Sequence, residues 1–402
     1  VSDLELTPVQ LEARDWAREF ARRSIEPRAL LLDADPDDPE REALLREAAG
    51  AGMLGLMLPT ELGGAGLDPV AAMVVTEELA RACSGCAVLI GATALGLSPI
   101  LASFDPDLIG RFVAPLTATW STPDPALAAL AATEPDMGSD FILGHPAGRP
   151  RTRARRGDGG YRLHGTKVFT SNGSLARLVT VFASVDPEAP IRESMVCLVV
   201  PADTPGFSVG QVFDKMGQRA SPATELVFDD VFVPEHHRVG PDGGAWALNR
   251  LIMAMSRPAV AAIALGIGRA AYDKAVAYAE GRVQGGRPII GHQAVQLMLA
   301  DMAIRTEAAR HLVIGSARSI MAGQPSLKLS SMAKTFAADA AVANALDAIQ
   351  ILGGYGYTRE AGVEKLLRDA KLTQIYEGTN QVNRFEIVEA IAAERGTPLE
   401  AR

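Results

Sequence analysis

Cysteine is scarce in this sequence, three residues in 402, and that scarcity excludes a disulfide framework as the source of its stability. Cys83 and Cys86 form a lone C-x-x-C, "CSGC", inside a helical pattern. With only Cys197 left over and no histidine cluster, no metal site is expected, and a redox pair hardly more so. No uninterrupted run of eighteen apolar residues occurs, and "VSDLELTPVQ" has neither the basic start nor the apolar core of a secretory signal. A cytoplasmic protein with no membrane partner is therefore expected. Basic charge is also short: 39 Lys and Arg face 48 Asp and Glu, a net charge of −9, which argues against a surface built to hold nucleic acid. Neither an internal repeat nor a low-complexity linker is present.

What is abundant is apolar content, 48% of the chain, enough for a large core and two or three domains. The first third reads as helices. Thr7, Pro8 and Gln10 make an N-cap, first-turn proline and capping box, after which Val9, Ala13, Trp16 and Phe20 share a face. Asp68-Pro69 opens a second helix, "VAAMVVTEELARAC". From about residue 129 the texture becomes β-rich, with "LVTVFASV", "MVCLVVPA" and "TELVFDDVFVP" between turn-rich breaks. After Pro234 long helices return, including "SLKLSSMAKTFAADAAVANALDAIQILGG", and several such helices imply a bundle. In "GRPRTRARRG", Arg151, Arg153 and Arg155 alternate with Thr152 and Ala154, which suits a solvated strand face, with docking of an acidic partner as the weaker reading. His236-His237 has no partners in sequence and suits a solvated loop.

Four separated motifs carry the chemistry. "ALAALAATEPDMGSD" enters the β domain with Thr133, Ser139 and free backbone groups, and its Gly138-Ser139 pair can bring main-chain N–H groups to an anion or a ring carbonyl. "GTKVFTSNGS" offers aromatic Phe169 beside the hydroxyl of Ser171, a ring wall with an edge donor. "KMGQRASPATELVFDDVFVP", with Arg257, "AEGRVQGGRPIIGHQ" and "IQILGGYGY" downstream, places arginines, glutamines and glycine pairs at helix ends, where a pyrophosphate could bind. The fourth is "QIYEGTNQVNR", in which Glu377 reads either as a helix-start acid or as a base.

In this combination and order the chain resembles the acyl-CoA dehydrogenase family of flavoproteins, over essentially its whole length. The resemblance implies an α+β fold: an N-terminal α-helical domain (1–128), a middle β-barrel-like domain (129–237) and a C-terminal four-helix bundle (238–402). It also implies FAD where the three meet, and a homotetramer or dimer sharing each FAD site between subunits. By position, Leu130, Ala132, Thr133, Gly138, Ser139, Phe169, Thr170 and Ser171 would hold the flavin. Arg282, Gln284, Gln293, Gln350, Gly353, Gly354, Thr379 and Gln381 match the remaining FAD contacts, several of them made by the neighbouring subunit.

Family members place an acyl thioester between flavin and a carboxylate that removes the α-proton while hydride leaves the β-carbon for the flavin. Glu377 matches that carboxylate in the medium-chain and short-chain branches, and its main-chain N–H matches a donor to the thioester carbonyl. Ser139, Thr93, Leu97, Arg257, Tyr376 and Gly378 match substrate contacts, and an electron-transfer flavoprotein is the implied acceptor. Departures from the family pattern are Phe169 for a frequent Trp, Gly285 for a usual Phe, and Ala254 for the Asp of a substrate-contacting D-x-x-R that ends in Arg257. The last favours weighing an acyl carrier protein against CoA as the acyl donor. An oxygen-using flavin oxidase or monooxygenase, and a silent interaction protein on the same fold, are the other readings.

Overall fold

The structure, a computed structural model, describes residues 6–397. The first five residues, on which part of the N-terminal reading rests, and the last five lie outside the described residues. Helix α1 (Pro8–Phe20) starts with the expected capping box: Thr7 Oγ1 accepts the Gln10 N–H at 3.3 Å, and the Gln10 side chain accepts the Thr7 N–H at 3.0 Å. Gln10 then donates to Asp68 at 3.1 Å, and Asp68 caps the next long helix by accepting the Ala71 N–H at 2.9 Å. One glutamine thus joins two helix starts. The buried face is Gln10, Ala13, Ala17 and Phe20, and Val9, expected inside, is 62% exposed.

After α2 (Glu40–Gly50), α3 (Pro69–Ser103) runs 35 residues and breaks its helical geometry once, at Cys83 (φ −161°, ψ 114°). Eight strands follow: β1 (Leu127–Ala131), then, after the short α4 (Ser139–Leu143), β2 (Arg153–Gly157), β3 (Gly160–Ser171), β4 (Ala176–Ser184), β5 (Met195–Pro201), β6 (Phe207–Val212), β7 (Ala223–Pro234) and β8 (Arg238–Val239). They pair in the order β6-β7-β3-β2-β4-β5-β8, with β1 parallel to β4. Strands β4 and β5 are almost continuously buried, as their unbroken Val-rich runs require. On β2 the alternation holds: Ala154 is buried while Arg153 and Arg155 face outward. His237 departs from the solvated reading, since its ring packs edge-on against Phe112 at 4.8 Å and is half-buried.

The C-terminal part contains α5 (Ala245–Gly281), α6 (Gln293–Met321), α7 (Leu327–Leu352), α8 (Glu364–Thr373) and α9 (Asn380–Glu394). Helix α5 packs against both α7 and α3. Gly266 permits the second contact, because a Cβ there would lie 2.6 Å from the Glu77 carbonyl oxygen. The crossing is pinned by buried charge: Arg269 donates to Glu77 at 3.0 Å and Glu78 at 2.8 Å, and Arg310 of α6 reaches Glu77 at 2.6 Å.

By length and average composition, three helical spans (Pro69–Ser103, Ala245–Gly281 and Leu327–Tyr357) could cross a membrane. The absence of an uninterrupted apolar run did not reveal this, since small and polar residues punctuate all three. Their most apolar windows are 61%, 78% and 50% buried inside the fold, so much of that surface serves helix packing. Helices on either side of a β domain make the architecture α+β, as the sequence implied.

Candidate active site

Between α8 and α9 the chain makes a tight loop in which two consecutive residues adopt the left-handed region, Glu377 (φ 49°) and Gly378 (φ 89°). For a non-glycine residue this costs of the order of 1–3 kcal/mol, so surrounding contacts must hold it. They are present. The Glu377 carbonyl accepts Arg257 Nε at 2.9 Å, and the Gly378 carbonyl accepts both Lys334 Nζ and Asn383 Nδ2 at 2.7 Å.

The Glu377 side chain turns toward α5, where its Oε2 accepts the Ser256 hydroxyl at 2.8 Å. It is not the helix cap. Thr379 takes that role, its Oγ1 accepting the Val382 N–H at 3.2 Å. Burial pushes the Glu377 carboxyl above its usual range, and the opposing pull of Ser256, Arg257 and Lys334 does not cancel it. A carboxylate raised in this way is a competent proton acceptor near neutral pH.

Arg257, expected as a substrate contact, lies fully buried behind the loop. Besides the Glu377 carbonyl it bonds Ser331 Oγ at 2.8 Å and forms an ion pair with Glu386 of α9, while its Nη2 is buried without a partner. Glu386 therefore supplies a carboxylate to Arg257 in a chain that has Ala254 in the D-x-x-R position. Tyr376 is partly buried beside the loop, with its hydroxyl 3.5 Å from Gln218 Nε2, and burial pushes its phenol upward. Gln218, from "KMGQRAS", donates its main-chain N–H to the buried Asp369 of α8 at 2.6 Å, which ties the β6–β7 connection to the helix preceding the loop. Thr93 and Leu97 are fully buried on α3, where Thr93 Oγ1 accepts the Ala128 N–H at 3.4 Å.

The flavin-motif residues of the β domain come together. Val168 N–H donates to the Thr133 carbonyl at 2.9 Å, and the buried Lys167 ammonium reaches the Ala132 carbonyl and Glu134 Oε1, each at 2.9 Å. Glu134 also accepts the main-chain N–H groups of Arg151 at 2.6 Å and Thr152 at 3.2 Å. This buried pair stitches the "ATEP" turn, which leads on to Gly138 and Ser139, to the strand bearing Phe169, Thr170 and Ser171. The β3–β7 register shifts between Lys167 and Thr170, and in that bulge Phe169 (φ 58°) is 60% exposed with its ring 4.7 Å from Phe213. Thr170 Oγ1 is buried without a partner. An outward aromatic wall, the partly buried Leu130, Ala132 and Thr133, and an unpaired hydroxyl fit a flat, polar-edged ring system such as FAD.

The other FAD-matching residues, Arg282, Gln284, Gln293, Gln350, Gly353, Gly354 and Gln381, are exposed. Most of them share one end of the bundle: Tyr278 and Tyr355 meet at 6.5 Å, and His292 Nε2 lies 3.0 Å from the Gln284 carbonyl oxygen. Such a surface suits a neighbouring subunit. Sequence reading missed Ser256, Lys334, Glu386, Glu134 and Lys167. Their only signals were charged or polar residues inside stretches otherwise bound for the interior.

The fold and this site define an FAD-dependent oxidoreductase of the CH–CH class. Three family descriptions match: "Acyl-CoA dehydrogenase, N-terminal domain" over residues 7–119, the "middle domain" over 129–231 and the "C-terminal domain" over 242–392. The chain belongs to the acyl-CoA dehydrogenase family. It is 40% identical to an acyl-CoA dehydrogenase of Bacillus subtilis (strain 168) over 96% of this chain and 98% of that protein. It is 39% identical to a cyclohex-1-ene-1-carbonyl-CoA dehydrogenase of Geobacter metallireducens, covering 94% and 97%. Butyryl-CoA dehydrogenase from Megasphaera elsdenii superimposes with a TM-score of 0.89 at 34% identity, covering 97% of this chain and 99% of that one. The chain is thus an acyl-CoA dehydrogenase that converts an acyl thioester to its enoyl thioester.

Proposed function

We propose that Glu377 is the base of this reaction. The observation that carries the reading is its half-buried carboxylate, held in a strained loop by Ser256, Arg257 and Lys334 and raised in pKa by burial. The α-proton of a thioester is only weakly acidic, so the chain must supply a positioned base and a donor to the carbonyl, where negative charge develops. Glu377 takes the proton and its main-chain N–H meets the carbonyl oxygen. Tyr376 walls the acyl group and Gly378 leaves room for it. Bound in this site, FAD would supply the acceptor for the hydride that leaves the β-carbon. Leu130, Ala132, Thr133, Gly138, Ser139, Phe169, Thr170 and Ser171 of one subunit hold the flavin, and the exposed group from Arg282 to Gln381, with Thr379, completes sites in the assembly.

The enzyme works as a cytoplasmic homotetramer or dimer, with domains divided at 128/129 and 237/238, and passes electrons to an electron-transfer flavoprotein. The acyl group is carried on CoA and is short. Support comes from the relatives, which include a butyryl-CoA dehydrogenase and a cyclic acyl-CoA dehydrogenase, and from the partly buried, bulky Met255 beside Ser256. A carrier-protein-bound acyl chain is the second reading. It is favoured by the outward Arg153 and Arg155 on β2, which could meet an acidic carrier.

Anaerobic mixing of the holoenzyme with a panel of straight-chain acyl-CoA thioesters tests the function. Bleaching of the flavin with formation of the enoyl thioester, fastest for short chains, is expected. Faster bleaching by the same acyl group on carrier protein would establish the second reading, and rapid reoxidation by air alone would indicate an oxidase.

A further inference from the structure

Lys334 sits in the middle of α7 with no solvent exposure. Taking an ammonium out of water costs several kcal/mol, and methionine or leucine would fill the same volume without that cost. The lysine makes two hydrogen bonds, both to the base loop and the turn that follows it: the Gly378 carbonyl at 2.7 Å and Asn380 Oδ1 at 3.0 Å. Asn380 is itself held by α7, donating to the Thr335 carbonyl at 3.2 Å and to Asp339 at 2.7 Å. The second anchor of the lysine is therefore rigid. The preceding carbonyl, that of Glu377, is gripped from α5 by Arg257. Two cations from two bundle helices thus clamp two consecutive carbonyls, at the residues whose φ values are positive.

We propose that Lys334 is a positioning residue for the base: its ammonium fixes the peptide plane that follows Gly378 and holds Glu377 in the left-handed conformation from which its carboxylate is presented. The inference rests on the reading of Glu377 as the base. Arg257 and Arg384, both cations, and Glu377 and Asp339, both carboxylates, are the charges around the lysine. Burial, then Arg257, lowers its ammonium to about 7. The clamp is intact while Lys334 is protonated and loosens as pH rises through that value, which gives the reaction an alkaline limb.

The test compares flavin bleaching by a short-chain acyl-CoA, across pH, in the wild-type holoenzyme and in Lys334→Gln, Lys334→Arg and Glu377→Gln. Lys334→Gln should keep its flavin absorbance and bind substrate with a Kd within about threefold. Its bleaching rate should fall by about 10²-fold, the penalty typical of a group misplaced by an ångström. Lys334→Arg, charged at every accessible pH, should regain much of the rate and lose the alkaline limb. If Lys334→Gln does not fold, Lys334→Arg decides alone. A wild-type rate in Lys334→Gln, or an unchanged alkaline limb in Lys334→Arg, overturns the proposal. Those results with Glu377→Gln inactive would leave the base assigned, whereas an active Glu377→Gln would overturn the base itself.

Discussion

The Ser256 hydroxyl donates to Glu377 Oε2 at 2.8 Å, from the residue immediately before the arginine that holds the Glu377 main chain. One turn of α5 therefore holds both the backbone and the carboxylate of Glu377, the proposed base. The hydroxyl opposes the upward push of burial on the carboxyl, so removing it raises the pKa further. In Ser256→Ala the acid limb of the rate profile is predicted to move to higher pH, with a larger loss of rate at pH 6 than at pH 9. A stopped-flow pH series of flavin reduction checks this, and an unmoved limb would mean the hydrogen bond does not govern the proton acceptor.

Gly378 is constrained on two counts. Its φ is 89°, and an added Cβ would lie 3.0 Å from Arg257 Nη2 and 3.5 Å from Ile142 Cδ1. Gly378→Ala should therefore displace the loop, retain FAD and reduce flavin about 10²-fold more slowly. Single-turnover reduction measures it directly.

The Lys167–Glu134 pair is buried and binds three main-chain groups: the carbonyl of Ala132, to which Lys167 donates, and the N–H groups of Arg151 and Thr152, which donate to Glu134; beside it the Val168 N–H donates to the Thr133 carbonyl. Lys167→Met leaves Glu134 charged and unpaired, which typically costs about 3–5 kcal/mol. Urea denaturation should show that loss together with weaker FAD retention, and adding Glu134→Gln should recover part of the stability.

Asp369 predicts an acid sensitivity. Burial pushes its carboxyl up, but Lys365 at 2.5 Å, the Gln218 N–H at 2.6 Å and Ser84 at 2.7 Å outweigh this and hold it below the usual range. A depressed carboxyl contributes stability that is present above its unfolded pKa, about 3.9, and is lost as pH falls through the folded value. Asp369→Asn should lower Tm at pH 7 and narrow its difference from wild type on acidification. Calorimetry at several pH values would show a constant difference if the account were wrong.

Sequence patterning disclosed the three-part architecture because helix caps, apolar periods and turn residues are local signals. The Thr7 capping box and the outward Arg153 and Arg155 are examples. It misplaced Val9 because α1 buries its face against α3, a partner remote in sequence whose cap, Asp68, lies 58 residues from Gln10. At the site, the motif singled out Glu377, whose part as base is the proposal made above. Its supports were not legible, since Ser256, Lys334 and Glu386 come from three helices and look in sequence like isolated polar residues. The Ala254 position reads as a missing carboxylate in the sequence, whereas in space Glu386, 129 residues after Arg257, supplies one.

The assignment of Glu377 as the proton acceptor is tested most directly by replacing it with Gln, which preserves size and the bond to Ser256 while removing basicity. Glu377→Gln holoenzyme, mixed anaerobically with a short-chain acyl-CoA, should keep its flavin spectrum and bleach at least ~10²–10⁴-fold more slowly than wild type. Bleaching at the wild-type rate would contradict the account and place the base on another residue.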